Sequence, residues 1–454
     1  MSMTFNYNIS LSGLNAARYA LKVTQNNVAN VNTEGYARQR VNLSPQGTLL
    51  GGGVESQIGS GVIADKIQRI KDDLLIQQVR NYGTRVSYFK TMGEGMSNIE
   101  SILGELGEGS ITDTMQGFFN SWEELSKFPN ENSYRKQALT AGEQFTFKLN
   151  SADKDLKTFR GELDNKISVD IQNANSLIQQ IADVNDEIKN TNSLEPNALL
   201  DKRDYYLEQL SKIGDVKIVA NSKDSNLVDV QLGGMTVVSG TQAQTVQGLY
   251  NQQDDKWVLA VGNVPMRLTE GSVLANLEVR NTYIPETQKK LDELASTVIN
   301  EVNALHSTGY ALDGSTGHNF FIGTNASTIT VDSALKANTD LISISDTAGE
   351  SGNAGIARKL SDLQNSGIMP SGRNPVEEWT GFVVSFGQTL NGVNNNTEVY
   401  QNVWNDLNTS KQSIQGVDID EELAKLMQYE KYYQSNAKVL KAIDGVFESL
   451  LNMV

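Results

Sequence analysis

Residues 10–43 read SLSGLNAARYALKVTQNNVANVNTEGYARQRVNL. Tyr7, Leu14, Leu21 and Val28 recur every seven places, and Ala17, Thr24 and Val31 follow the last three by three. That spacing predicts a helix with a coiled-coil seam. The seam is short and has polar members, so alone it is marginal. Five asparagines then fall between positions 26 and 42. Asn26 and Asn30 stand one helical turn apart, with Asn27 beside them. Asn32 and Thr33 suit the orphan backbone groups of a helix end, and Gly35 suits a positive φ. The plain reading is a helix C-terminus and a turn. The sharper reading makes Asn26, Asn27, Asn30 and Asn32 polar contacts repeated between subunits, because such an end is costly in a core.

The other end of the chain mirrors the first. Leu426, Tyr433, Leu440, Phe447 and Val454 recur at seven, and Tyr429, Ile443 and Leu450 lie three places on. Its start, GVDIDEELAKL, carries Asp418 and Glu421 at capping-box spacing, with Asp420, Glu421 and Glu422 at the positive end of the helix dipole. Each terminal helix needs a partner, and the simplest partner is the other. The expected assembly seam is Tyr7, Leu14, Leu21 and Val28 with Leu426, Tyr433, Leu440 and Phe447. A lone pair buries little apolar surface against the entropy of ordering it. The ends are therefore expected to settle only when many copies pack side by side.

Between the ends the chain is mostly helical. GVIADKIQRI reads as a strand, and DDLLIQQVRNYGTRVSYFKTM as a helix. In ITDTMQGFFNSWEELSKFP, Ile111, Met115, Phe118, Trp122 and Leu125 make one stripe that ends at Pro129. No proline occurs from about Ser133 to Lys189. There Leu149, Leu156 and Leu163, then Ile171, Ile178, Ile181, Val184 and Ile188, predict one helical rod of roughly 80 Å. NALLDKRDYYLEQLSKIG is a further helix. From 215 to 280 come the short strands DVKIVA, LVDVQL, MTVVSG, KWVLAV and VPMRL, separated by turn residues. PETQKKLDELASTVINEVNALH restores the helix; residues 309–335 read as loop and hairpin, and a last internal helix runs through EEWTGFVVSFGQTL toward VWNDLNTSKQSI.

The fold class expected is α+β, mainly α, elongated along one axis. Three nested units are expected. Residues 1–60 with 410–454 form a terminal coiled-coil domain that builds an inner tube. Residues 61–213 with 284–409 form an elongated helix-rich domain, and 214–283 a small inserted β domain.

Composition narrows the function. The 454 residues carry 54 acidic and 38 basic side chains, a net charge of −16, which opposes binding to nucleic acid or anionic membrane. No cysteine is present, so disulfides, thiolate metal sites and a cysteine nucleophile are excluded. The start lacks a cleavable signal, and no apolar run approaches the ~18 residues of a membrane span. The protein is expected to stay in the cytosol or to leave by a route that reads no such signal. His306 and His318 have no metal-ligand partner at helical spacing. No phosphate-binding, zincin or nucleophile-elbow motif occurs. The glycine-rich GGGVESQ precedes a strand rather than a helix, and DIDEE lacks EF-hand spacing. No catalytic, cofactor or metal site is expected, and the chain is read as no enzyme.

Residues 10–43 and 416–453 resemble the N- and C-terminal signatures of bacterial flagellar axial proteins, the rod, hook and hook-associated families. Both signatures are specific, but they do not choose among those families. PNENSYRKQALTAGEQFTFKLN, NALLDKRDYYLEQLSKIG, INEVNALHSTGYALDGSTGHNFF and GSGVIADKIQRIKDDLLIQQVRN resemble the interior of the hook-associated protein 1 family, over nearly the whole chain. The chain is short for that family, with a small middle insert. The resemblance implies a structural subunit that leaves the cell by type III export and joins hook to filament. It implies a homo-oligomeric ring at the hook tip, hook protein below, and a second hook-associated protein and the flagellin side above. An export chaperone on the C-terminal helix is implied as well, with no nucleic acid, membrane or cofactor. The alternatives are another axial protein (hook, rod or second hook-associated protein), or an enzyme or adhesin carried by residues 215–280 on an axial scaffold.

Overall fold

A computed structural model describes residues 2–47, 59–104, 109–191 and 196–453. Val454 of the expected seam and GGGVESQ (residues 51–57) lie outside them. The chain opens with α1 (Ser2–Ala29), then an antiparallel ribbon of β1 (Gln39–Pro45) and β2 (Val62–Arg69). Three helices follow: α2 (Asp73–Leu103), α3 (Ile111–Lys127) and α4 (Asn132–Asn190). The 59 residues of α4 form the expected rod, at 1.5 Å per residue roughly 90 Å long. Next is α5 (Asn197–Ile213).

The strand-rich segment holds β3 (Val216–Ala220), β4 (Val228–Leu232), β5 (Met235–Ser239) and β6 (Gln242–Ala243), an antiparallel meander. A second sheet holds β7 (Val246–Asn251), β8 (Lys256–Val261) and β9 (Val264–Pro265). Helix α6 (Ser272–Glu278) passes through a π turn at Val279–Tyr283 into α7 (Ile284–His306). A small hairpin, β10 (Phe321–Ile322) with β11 (Thr330–Val331), precedes α8 (Ser333–Ala337) and α9 (Gly355–Asp362). The chain closes with α10 (Pro375–Gln415) and α11 (Ile419–Leu451).

Two apolar cores hold the body. The larger joins the second half of α2, α3, the first half of α4, α7, the β10–β11 hairpin, α9 and the first half of α10. The α3 stripe lies at its centre, with Ile111, Met115, Phe118, Trp122 and Leu125 all inaccessible to solvent. Five such side chains contribute on the order of 10 kcal/mol of transfer free energy, an upper bound. His306 is buried against Trp122 and Phe320, with ring centroids 6.0 and 5.5 Å away. The Ser343 N–H donates to its Nε2 (3.0 Å), so Nδ1 carries the proton and donates to the His318 carbonyl (2.6 Å). Burial lowers its pKa to about 4, and the ring stays neutral.

The second core joins Ile167, Ile171, Ile178 and Ile181 of α4 and Leu207 and Leu210 of α5 to both sheets. The expected inserted domain, 214–283, is therefore narrower than the unit that packs, because the strands have no core without the far half of α4. Trp257 lies across Gly248, where a Cβ would stand 2.6 Å from its ring. One latch fixes the β7–β8 turn. Asp255, at φ +50°, accepts from Tyr250 Oη (2.7 Å), Arg160 and Arg280, and Arg280 also pairs with Asp164 (2.8 Å).

Helices α2 and α10 run antiparallel and carry the body toward the chain ends. Gly83 and Gly93 of α2 admit Trp404 and Asn394 of α10, so neither helix is held off by a Cβ. Phe89 stacks on Tyr400 at 5.2 Å, and Arg85 lies over Tyr82 and Tyr400.

A joint where both chain ends meet the body

The two terminal helices pair along their length in antiparallel fashion. Gly13 opens a gap that Asn436 fills; a Cβ there would stand 2.7 Å from Asn436 Oδ1. Fourteen residues along each helix, Asn27 Nδ2 donates to Glu422 Oε2 at 2.8 Å. These contacts fix the phase. The face of α1 turned to α11 runs through Ser10, Gly13, Ala17, Ala20, Thr24 and Asn27. It is made of small and polar residues, which let the backbones approach closely. The expected α1 seam is therefore corrected. Leu14, Leu21 and Val28 flank the contact half-buried, and Tyr7 is exposed. On α11, Glu422 and Asn436 share the phase of Tyr429 and Ile443. Leu426, Leu440 and Phe447 are half-buried and Tyr433 is exposed.

Asn27 is the centre of the joint. It is buried, and its amide is saturated. Nδ2 donates to Glu422 Oε2 and to the Gln39 carbonyl (2.9 Å), while Oδ1 accepts from Tyr36 Oη (2.7 Å) and Gln39 N–H (3.0 Å). It has no capacity left for a neighbouring chain, so its expected role between subunits is corrected to one within the chain. Asn26 donates to Tyr36 Oη (3.2 Å), and Asn30 donates back to Asn26 and accepts from Thr33. Asn26 and Asn32 are exposed, and Asn30 is partly so. Gly35, at φ +80°, brings the turn onto Tyr205 of α5. Burial, with Asp201 and Glu422 near, raises the Tyr36 phenol to about 12.

The α11 start is capped as the sequence suggests. Asp418 accepts from the N–H groups of Asp420 (2.9 Å) and Glu421 (3.2 Å). Glu422 is 1% exposed, and its second oxygen accepts from Lys425 at 3.0 Å. Arg38 spans the break between α10 and α11. Its N–H donates to the Gln415 carbonyl (2.8 Å), and its guanidinium pairs with Glu421 (2.7 Å). The ribbon ties on too. The Val62 N–H donates to Ser12 Oγ (3.1 Å), and Asn197 Nδ2 donates to the Ile67 carbonyl (2.8 Å). Arg69 pairs with Asp201 (2.9 Å) and Asp204 (2.8 Å) of α5. Burial pushes the Asp201 carboxyl up to about 6, against the pull of Arg69.

Two open volumes flank the 30–36 turn. A groove of 1240 Å³ lies between it and the α10–α11 link, walled by Tyr205, Trp404 and Lys411. A pocket of 310 Å³ lies against α5, walled by Asn26, Tyr36, Asp201 and Tyr206. Among the described residues, no group of three or more His, Asp or Glu side chains is placed to hold a metal. No described helix is long and apolar enough to cross a membrane. Tyr36, Arg38, Arg69, Asp201 and Glu422 were not singled out from the sequence as members of this joint. Local signals pointed only to Asn27 with its neighbouring asparagines and to the acidic, capped start of α11 at Asp418.

The discontinuous antiparallel pair of chain ends and the helical body to which it is jointed both match families of flagellar axial proteins. The family models agree along the chain: "Flagella basal body rod protein" over residues 8–36, "Flagellar hook-associated protein FlgK helical domain" over 96–321, and "Flagellar basal body rod FlgEFG protein C-terminal" over 412–453. Flagellar hook-associated protein 1 of Salmonella typhimurium is 25% identical, with all of both chains covered. That of Bacillus subtilis is 25% identical over 97% of this chain and 96% of its own. The hook junction protein FlgK of Burkholderia pseudomallei has the same fold, with a TM-score of 0.64 at 14% identity, covering 74% of this chain and 100% of that one. The chain belongs to the flagellar hook-associated protein 1 family.

Proposed function

We propose that this chain is a non-enzymatic structural subunit of the bacterial flagellum that joins the hook to the flagellin filament. It leaves the cytoplasm by type III export, held beforehand by a chaperone on α11. It then forms a homo-oligomeric ring at the hook tip, with hook protein below and a second hook-associated protein above. The terminal pair lies in the inner tube, and the body from α2 to α10 stands outside it.

The observation that carries this reading is the state of α11. Of its 33 residues only Glu422 is buried, while Leu423, Met427, Tyr432, Val439, Val446 and Leu450 are among the large apolar side chains left in water. A soluble monomer gains nothing from such a helix; a subunit among neighbours does. The end signatures fit rod and hook proteins equally. The interior match over 96–321 favours the junction. The test is a strain lacking this gene. Intact hooks with flagellin lost to the medium, restored by the wild-type gene, support the reading. Absence of hooks points to a hook or rod subunit instead.

A further inference from the structure

Arg135, in the first turn of α4, is a buried cation without a paired anion. It is 1% exposed, among the largest fully buried side chains of the molecule. Nη1 donates to the Ile342 carbonyl (2.7 Å) and Nη2 to the Pro129 carbonyl (3.1 Å), while Nε has no hydrogen-bond partner. Among the described residues no carboxylate forms an ion pair with it, and Asp340 acts on it only from a distance. Burial pulls its pKa down, but a guanidinium keeps its proton and so its charge. An arginine buried without a counter-charge is rare and costly. The start of α4 adds to the positive field. Glu131 at the cap position makes no side-chain bond to the helix, and the first turn holds no acidic residue.

A pocket of 70 Å³ opens beside Arg135. Its walls come from three segments: α4, the loop at 310–314 after α7, and residues 344–351 ahead of α9. It has room for a few water-sized groups and no more. Gly349 and Ser351 line it, and their N–H groups donate to no described residue. Glu350 is the one carboxylate in the wall, and its Oε2 accepts from Asn353 Nδ2 (3.4 Å) rather than from Arg135. We propose that this pocket binds a small monovalent inorganic anion, chloride in a saline medium, against the Arg135 guanidinium. A larger anion does not fit. The net charge of −16, with Glu350 in the wall, disfavours an anion of higher charge. The ion neutralises the buried charge and ties the first turn of α4 to the two loops that lead into α9.

Chloride itself is the probe, added to the purified full chain in sodium gluconate at constant ionic strength. Wild type is expected to broaden the chloride NMR line in a saturable way, and bromide should relieve the broadening by competition. At tenfold its dissociation constant, chloride should raise the melting temperature by about 3 °C. Arg135→Gln should lose both effects. Absence of saturable broadening in wild type overturns the proposal, and so does broadening that Arg135→Gln leaves unchanged. Should that variant fail to fold, wild-type crystals soaked in bromide decide the matter. Anomalous signal in contact with the Arg135 guanidinium supports the site, and its absence there overturns it. Glu350→Gln separates a free ion from the chain's own carboxylate. Chloride binding that is equal or tighter in this variant supports the proposal. Chloride binding that appears only in this variant shows that Glu350 neutralises Arg135 and overturns it.

Discussion

Asn27 and Glu422, 395 residues apart in the chain, share a 2.8 Å hydrogen bond in a buried joint. The bond closes the chain ends on each other at the point where the ribbon, α5 and the α10–α11 link converge. Replacing Asn27 by alanine strands the Gln39 N–H and carbonyl, the Tyr36 hydroxyl and a buried carboxylate at once. Each unsatisfied group costs about 1–3 kcal/mol. We expect Asn27→Ala to loosen the terminal pair while the body melts as wild type does. Limited proteolysis should cut within 30–38, and calorimetry should show the body transition unmoved. Asn27→Asp should be as damaging, since it sets a second carboxylate against Glu422.

Gly13 tests the close approach. A Cβ there meets only the Asn436 amide, which can rotate. Gly13→Ala is expected to cost under about 1 kcal/mol, and Asn436→Ala in the same chain should relieve it. Gly13→Leu cannot be accommodated that way and should wedge the helices apart. Motility on soft agar, with the alanine variant swimming and the leucine variant not, checks this.

Asp201 gives the joint a pH dependence. Its carboxyl holds a proton more tightly in the folded chain, near pH 6, than in the unfolded one. Its contribution to stability is therefore present below about pH 4 and lost as pH rises through 6, a swing of about 3 kcal/mol at most. Asp201→Asn should hold α5 to the ribbon as firmly at pH 7.5 as at pH 5. Hydrogen exchange of α5 in wild type should quicken over that interval, and in the variant it should not.

His306 acts with the opposite sign. Its folded pKa of about 4 lies below the unfolded value. Stability is intact above pH 6.5 and falls as pH drops toward 4, by about 3 kcal/mol. His306→Gln is expected to lower the melting temperature at pH 7, because it loses the links to Ser343 and His318. It should also flatten the decline between pH 6.5 and 4, and scanning calorimetry across that range compares the slopes.

Much of the fold was legible because long helices advertise themselves. The stripe Leu149, Leu156, Leu163 and its isoleucine continuation mark one uninterrupted helix, and the α3 stripe is its core partner. The shorter strands were harder. β1 hides in ARQRVNLSP, where apolar and polar residues alternate weakly and the partner strand lies some twenty residues on. β7 contains Gly248, which gains its cover only from Trp257 across the sheet. The α1 seam misled for a different reason. Periodicity weighs large residues, and the inward face is built of Ser10, Gly13, Ala17 and Ala20. The joint was the least legible part. The Asn27–Glu422, Arg38–Glu421 and Arg69–Asp201 contacts join residues more than a hundred places apart, and a helix-end signature reports only one partner of each.

The account depends on the terminal pair being incomplete in a single subunit. Hydrogen exchange of α11 in the purified monomer, set against the same helix in assembled hook–filament junctions, measures this directly. In the monomer, exchange is expected to be fast from Met427 onward and slowed only near Asn27 and Glu422; on assembly the whole helix should be protected. Slow exchange through α11 in the dilute monomer, unchanged on assembly, would contradict the account.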